Sequence, residues 1–184
     1  MLRHLLVSVV MVGSVSVARA DYSAHSCRGP ASGPVRATVT DNACTGFVVS
    51  RPGARAKTVT FPFVGSGDLR ASADGRTVVM IQSYLYGHID EHGKLVDMDA
   101  PKVVDPIGIY VYRDGKLVAR HTVRALLARL GEAEQSISHV RWVKTIPASI
   151  GKTFTLEMVN GRTAELDART GRIVAQTDPA ATKP

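Results

Sequence analysis

Cysteine, aromatic residues and long apolar runs are all scarce in this chain. The 184 residues hold 2 cysteines, too few for a structural zinc site, and they lack the C-x-x-C spacing of a redox pair. Aromatic residues make up only 5% of the sequence, which leaves the core to aliphatic and β-branched side chains. The apolar stretch Leu5 to Val12 falls well short of the roughly 20 residues that span a bilayer. No block of consecutive Lys and Arg occurs, so the formal charge of +7 is dispersed over a surface rather than gathered in a nucleic-acid arm. Cofactor fingerprints are missing as well. Gly151-Lys152-Thr153 ends like a P-loop, but Ile146 stands where that motif requires glycine. Gly65-Ser66-Gly67 is a turn without the G-x-S-x-G pattern of a nucleophile elbow. No cofactor and no nucleic acid are expected.

What is present begins with an export address. Arg3 gives a positive start, Leu5 to Val12 an apolar centre, and Ala18-Arg19-Ala20 a small-x-small cleavage site. Residues 1–20 therefore read as a signal peptide, with the mature chain beginning near Asp21 in the periplasm or outside the cell. Arg3 and Arg19 leave with the leader, so the mature chain is modestly basic and carries no transmembrane anchor. An oxidising compartment permits a Cys27–Cys44 disulfide, whose loop would add about 3 kcal/mol in the chain-entropy model. Lipidation of Cys27 fits less well, because Ala24-His25-Ser26 lacks the expected apolar residue.

After an irregular arm at 21–34, residues 35–176 read as a single β-rich domain, followed by a flexible tail at 177–184. Strand patterns cover Val35–Thr40, Gly46–Ser50, Lys57–Val64, Thr77–Tyr86, Gly108–Arg113, Lys116–Arg120, His139–Lys144, Thr153–Met158, Thr163–Asp167 and Arg172–Gln176. Asp114-Gly115 and Asn160-Gly161 sit between strand pairs, and both dipeptides tolerate the positive φ of tight hairpin turns. Asp74-Gly75 precedes Thr77 in the same manner. Only 122–135 departs from this pattern. There Val123, Leu126, Leu127 and Leu130 recur at helical spacing, with Thr122 placed to cap the start. The predicted fold is mainly β: an antiparallel meander of blade-like hairpins, with one amphipathic helix packed on the sheet.

The turn dipeptides recur near the ~40–45-residue period of propeller blades. The stretch Leu69-Arg70-Ala71-Ser72-Ala73-Asp74-Gly75-Arg76-Thr77-Val78-Val79 resembles the Ser-Pro-Asp-Gly hairpin of TolB-type propeller repeats, with Ala73 at the proline position. Such repeats build protein-binding scaffolds in the bacterial envelope, so the resemblance implies an interaction role. Three units and a helix are few for a closed ring, and the units could belong to a ring or to an open sheet. The whole layout, with Ser138-His139-Val140-Arg141-Trp142 after the helix, is similar to uncharacterised exported bacterial proteins.

Two groups of residues invite a chemical reading. His88, Asp90 and His92, with Asp97, Asp99 and Asp105 behind them, are the candidate metal ligands. Gly87 and Gly93 flank them, so a solvated acidic loop is the expected setting. Tyr84 and Tyr86 share one strand face, as do Tyr110 and Tyr112. If those strands were neighbours, the four rings would form one patch, either packed or offered to a glycan or partner chain. Ser138 and His139 point to opposite faces of a strand and do not make a catalytic pair. The function expected from these observations is an exported interaction or structural module, binding a protein or glycan partner in the envelope or outside the cell. Its rivals are a metal-dependent hydrolase of envelope polymers built on His88 and His92, and a secreted inhibitor acting through its basic surface.

Overall fold

A computed structural model describes residues 27–28, 36–39, 46–51, 53–60, 67–86, 105–135 and 139–179. In chain order the first strands are β1 (Cys27–Arg28), β2 (Arg36–Val39), β3 (Gly46–Arg51), β4 (Ala54–Thr60), β5 (Gly67–Ala71), β6 (Thr77–Ile81) and β7 (Tyr84–Tyr86). Then come β8 (Ile107–Arg113), β9 (Lys116–Thr122) and the helix α1 (Val123–Leu127). The chain continues through β10 (Glu134–Gln135), β11 (His139–Arg141), β12 (Val143–Thr145), β13 (Thr153–Met158), β14 (Thr163–Asp167) and β15 (Ile173–Thr177). The expected β-rich, antiparallel hairpin fold is what forms.

Its centre is a five-stranded sheet ordered β1-β5-β6-β8-β9, antiparallel except for β1 against β5. Side chains alternate across this sheet, and both faces are covered. Val79, Ile81, Ile109 and Val111 face one core, shared with α1, Trp142 and the inner face of a four-stranded sheet ordered β12-β13-β14-β15. Leu69, Val78, Met80, Tyr110 and Tyr112 face a smaller core closed by Phe47, Val49 and Val59, from a three-stranded sheet ordered β2-β3-β4. Strand β6 is buried at every position because it is central and covered on both sides, hence its unbroken run Thr77-Val78-Val79-Met80-Ile81.

The hairpins follow from their turn residues. Asp114 and Gly115 both adopt positive φ, 49° and 82°, the requirement of a two-residue turn matching strand twist. At Asp74-Gly75 and Asn160-Gly161 only the glycine does so, and the aspartate or asparagine side chain instead accepts a backbone N–H, from Arg76 and Arg162 respectively.

Elsewhere the structure corrects the sequence reading. The helix expected over 122–135 ends at Leu127, and a short 3-10 turn at Leu130–Glu132 and strand β10 occupy the rest. Thr122 caps the start as expected, its hydroxyl accepting from the Ala125 N–H at 3.2 Å. At the other end Ala128 turns to φ 72°. Asn160 Nδ2 donates to the Leu127 carbonyl, and Gln176 Nε2 to those of Ala125 and Leu126. Those carbonyls find partners from β-layer side chains, so another helical turn is not needed. Val123, Leu126, Leu127 and Leu130 are nevertheless all buried.

Two expected strands are each broken in the middle. Thr77–Tyr86 divides at Gln82-Ser83 into β6 and β7, and His139–Lys144 divides at Trp142 into β11 and β12. The breaks are joined: the Trp142 indole N–H donates to the Gln82 carbonyl. This lets β7 leave the central sheet and pair with β11 in a three-stranded sheet ordered β10-β11-β7. Trp142 is fully buried, and a Cβ added at Gly108 would lie 2.7 Å from its Cζ2. Glycine at 108 is therefore required by this close approach.

Candidate functional site

The candidate site lies where the central sheet and the β2-β3-β4 layer meet solvent. Strand β4 carries Val59, Lys57 and Arg55 on one face by its period of two. Val59 is buried in the smaller core while Lys57 and Arg55 are exposed, so this face passes from apolar to basic along its length. Opposite it, the register Thr77↔Arg113 sets the Asp74-Gly75 turn beside the Asp114-Gly115 turn. Arg76 clamps them, its Nε and Nη2 donating to the two Asp114 carboxylate oxygens at 3.0 and 2.7 Å. Lys57 Nζ reaches the Asp114 carbonyl at 3.3 Å.

These contacts form a groove lined by Phe47, Arg55, Lys57, Arg76, Asp114 and Tyr112. Its enclosed part is about 20 Å³, room for one water and not for a metabolite. It can meet an extended ligand along its rim but cannot swallow a small one. At its floor Phe47 and Tyr112 pack edge to face, centroids 5.3 Å apart.

Electrostatics at the rim favour permanent charge. The hydrogen bond from Arg76 holds the Asp114 carboxyl below its ordinary value and raises the Arg76 guanidinium. The Ser72 hydroxyl does the same to Asp74, helped by the Arg76 N–H. Burial pushes the Tyr112 hydroxyl up to about 12 and raises Tyr110 too, opposed by the nearby Arg120 charge. Each of these shifts carries its group further from neutral pH, so these side chains hold their charge state there.

Strand β9 borders this region. It is the last strand of the central sheet, and among the described residues it pairs only with β8. Leu117 and Val118 are 44% and 43% exposed, beside exposed Lys116 and Arg120. A second cleft, lined by Leu127, Ala128, Glu132, Asn160, Arg162 and Asp178, differs in kind. Asn160 Nδ2 donates to Glu132 Oε2 at 2.6 Å, and Arg162 Nε lies 2.9 Å from Asp178 Oδ1. Asn160 Nδ2, which also donates to the Leu127 carbonyl, closes the helix end.

The sequence-derived candidates fare unevenly. Tyr110 and Tyr112 are 7% and 3% exposed, as part of the smaller core. Tyr84 and Tyr86 lie on β7, opposite Arg141 and His139, in a different sheet from β8. The break at Gln82-Ser83 carries β7 into a different sheet from β8, so the two tyrosine strands are not hydrogen-bonded neighbours. His88, Asp90, His92, Asp97 and Asp99 lie outside the described residues. Asp105 is described, and its Oδ1 accepts the Arg124 N–H in the first turn of α1. Among the described residues no group of three His, Cys, Asp or Glu side chains converges to hold a metal. Cys27 opens β1, whereas Cys44 lies outside the described residues. No described helix is long and apolar enough to cross a membrane. The basic groove itself went unread in the sequence, although the alternation Arg55-x-Lys57-x-Val59 ahead of the Asp-Gly turns was its available signal.

No protein-family model matches the sequence, and no curated protein matches it.

Proposed function

We propose that the mature chain is an exported interaction module that binds an anionic protein or glycan partner in the cell envelope or outside the cell. The observation that carries this reading is the basic rim at the open side of the fold. There Arg55, Lys57 and the Asp114-paired Arg76 surround a groove too small for a metabolite, three cations to one carboxylate, and an exposed strand edge lies alongside. The leader-like residues 1–20 and the resemblance of Leu69–Val79 to TolB-type hairpins support the same setting. A Cys27–Cys44 bridge would tie the N-terminal arm close to β5, next to which β1 lies.

The test is binding of the mature protein to polyglutamate and to polygalacturonate across a salt series. Exposed charge contacts weaken as the Debye length falls from about 10 Å at 0.1 M to about 3 Å at 1 M salt. Binding to at least one polymer that fades with salt, and is lost in the Arg55→Glu/Lys57→Glu protein, is expected. Salt-independent binding, or full binding by the variant, would refute the reading.

A further inference from the structure

We propose that the partner contains an extended acidic polypeptide segment that adds to the central sheet as a strand beside β9. This rests on the interaction-module reading above and specifies its ligand and geometry.

The argument starts from the edge. A strand at the end of a sheet presents a row of backbone N–H and C=O groups that another extended chain can complete. Strand β9 runs seven residues, Lys116 to Thr122, about 23 Å at the usual rise of an extended chain, so it matches a short peptide in length. Its register places Leu117 opposite Tyr112 and Arg120 opposite Tyr110. Both tyrosines face the smaller core, so Leu117 and Arg120 lie on the side of β9 that looks toward the β2-β3-β4 layer. Val111 pairs with Ala119 and Tyr112 with Leu117, which leaves Val118 as a bulge. An incoming strand would therefore meet exposed apolar surface at Leu117 and Val118, with Arg120 on the face toward the β2-β3-β4 layer and Lys116 on the opposite face.

Charge selects the occupant. A second copy of this chain laid on β9 would bring its own Lys116 and Arg120 against the same residues, and like charges across a strand pair are destabilising. Basic residues and a bulge are the usual guards of an edge against self-pairing. Glutamate or aspartate on the face toward the β2-β3-β4 layer makes Arg120 half of a cross-strand ion pair, with Arg55 and Lys57 of the neighbouring rim adding to the field, and an acidic residue on the opposite face does the same for Lys116. Main-chain hydrogen bonds then supply affinity and the basic side chains supply specificity, which is strand addition.

The experiment uses the full mature chain and two blocked hexapeptides, one alternating Glu and Val and one alternating Lys and Val, with polygalacturonate as a glycan probe. Amide hydrogen exchange reads the binding position. The expected result is that the Glu-Val peptide slows exchange of β9 amides about tenfold or more and the Lys-Val peptide does not. Charge reversal, Lys116→Glu with Arg120→Glu, is expected to switch the preference to Lys-Val; both residues are exposed, so the fold tolerates the change. Slowing confined to β4 or β15, or a variant whose preference does not switch, would overturn the proposal. Binding of polygalacturonate with no response to Glu-Val would also overturn it while leaving the broader anionic-partner reading intact. Failure of every anionic probe would remove both.

Discussion

The two faces of the central sheet are covered in different ways. On one side, Trp142, α1 and four strands make a thick core whose margins are sealed: Asn160, Gln176 and Trp142 each carry their polar atoms to backbone carbonyls. On the other, Phe47, Val49 and Val59 make a thin core, and the covering strand β4 begins basic, at Arg55 and Lys57, before turning apolar at Val59. The contrast separates a thick, hydrogen-bonded core from a thin one whose margin carries exposed charge. In the sealed half Asn160, Gln176 and Trp142 turn their donors inward to backbone carbonyls; in the thin half Arg55 and Lys57 stand outward near the β9 edge.

Mutation sharpens the contrast, and the largest effect belongs to the sealed side. Trp142→Ala removes a fully buried ring and the hydrogen bond joining the two strand breaks, and is expected to cost about 5 kcal/mol. Denaturant titration by circular dichroism measures it. Phe47→Ala should cost less, about 3 kcal/mol, because the thin core has fewer neighbours to leave behind. A Phe47→Ala loss equal to that of Trp142→Ala would erase the distinction between the halves.

A smaller effect is set by pH. Because burial moves the Tyr112 hydroxyl up to about 12, the fold favours its neutral form. That contribution is complete below the ordinary tyrosine value near 10 and is lost as pH rises through the folded-state value. Alkaline unfolding should thus begin within this window in the wild type and shift upward in Tyr112→Phe, followed by thermal melts over the same range. Smallest of all is Arg76→Gln. Its ion pair with Asp114 is solvent-exposed, and such pairs contribute little, so the melting temperature should barely change while affinity for an anionic polymer falls.

The sequence made the hairpins legible because Asp-Gly and Asn-Gly impose local backbone geometry that tertiary packing has little reason to override. The helix was legible in kind but not in length. The apolar spacing of Val123, Leu126, Leu127 and Leu130 states which side chains are buried, and a short helix followed by a 3-10 turn buries them equally well. The tyrosines show the opposite limit. Period-two reasoning rightly set Tyr110 and Tyr112 on one face, but which face is covered depends on β3 and β4, far away in sequence. The register that pairs Thr77 with Arg113, and so places Arg76 on Asp114, is another long-range outcome that local patterns do not encode.

The most direct test sets the two sides against each other through charge alone. Affinity for polyglutamate at low salt should be compared between Arg55→Glu/Lys57→Glu, on the thin side, and Lys144→Glu/Lys152→Glu, on the four-stranded layer, since each pair changes net charge equally. Loss of binding in the first protein with near-native affinity in the second is the predicted result. Equal affinities in the two would mean that binding follows net charge or lies elsewhere, and that the open basic rim is not the binding surface.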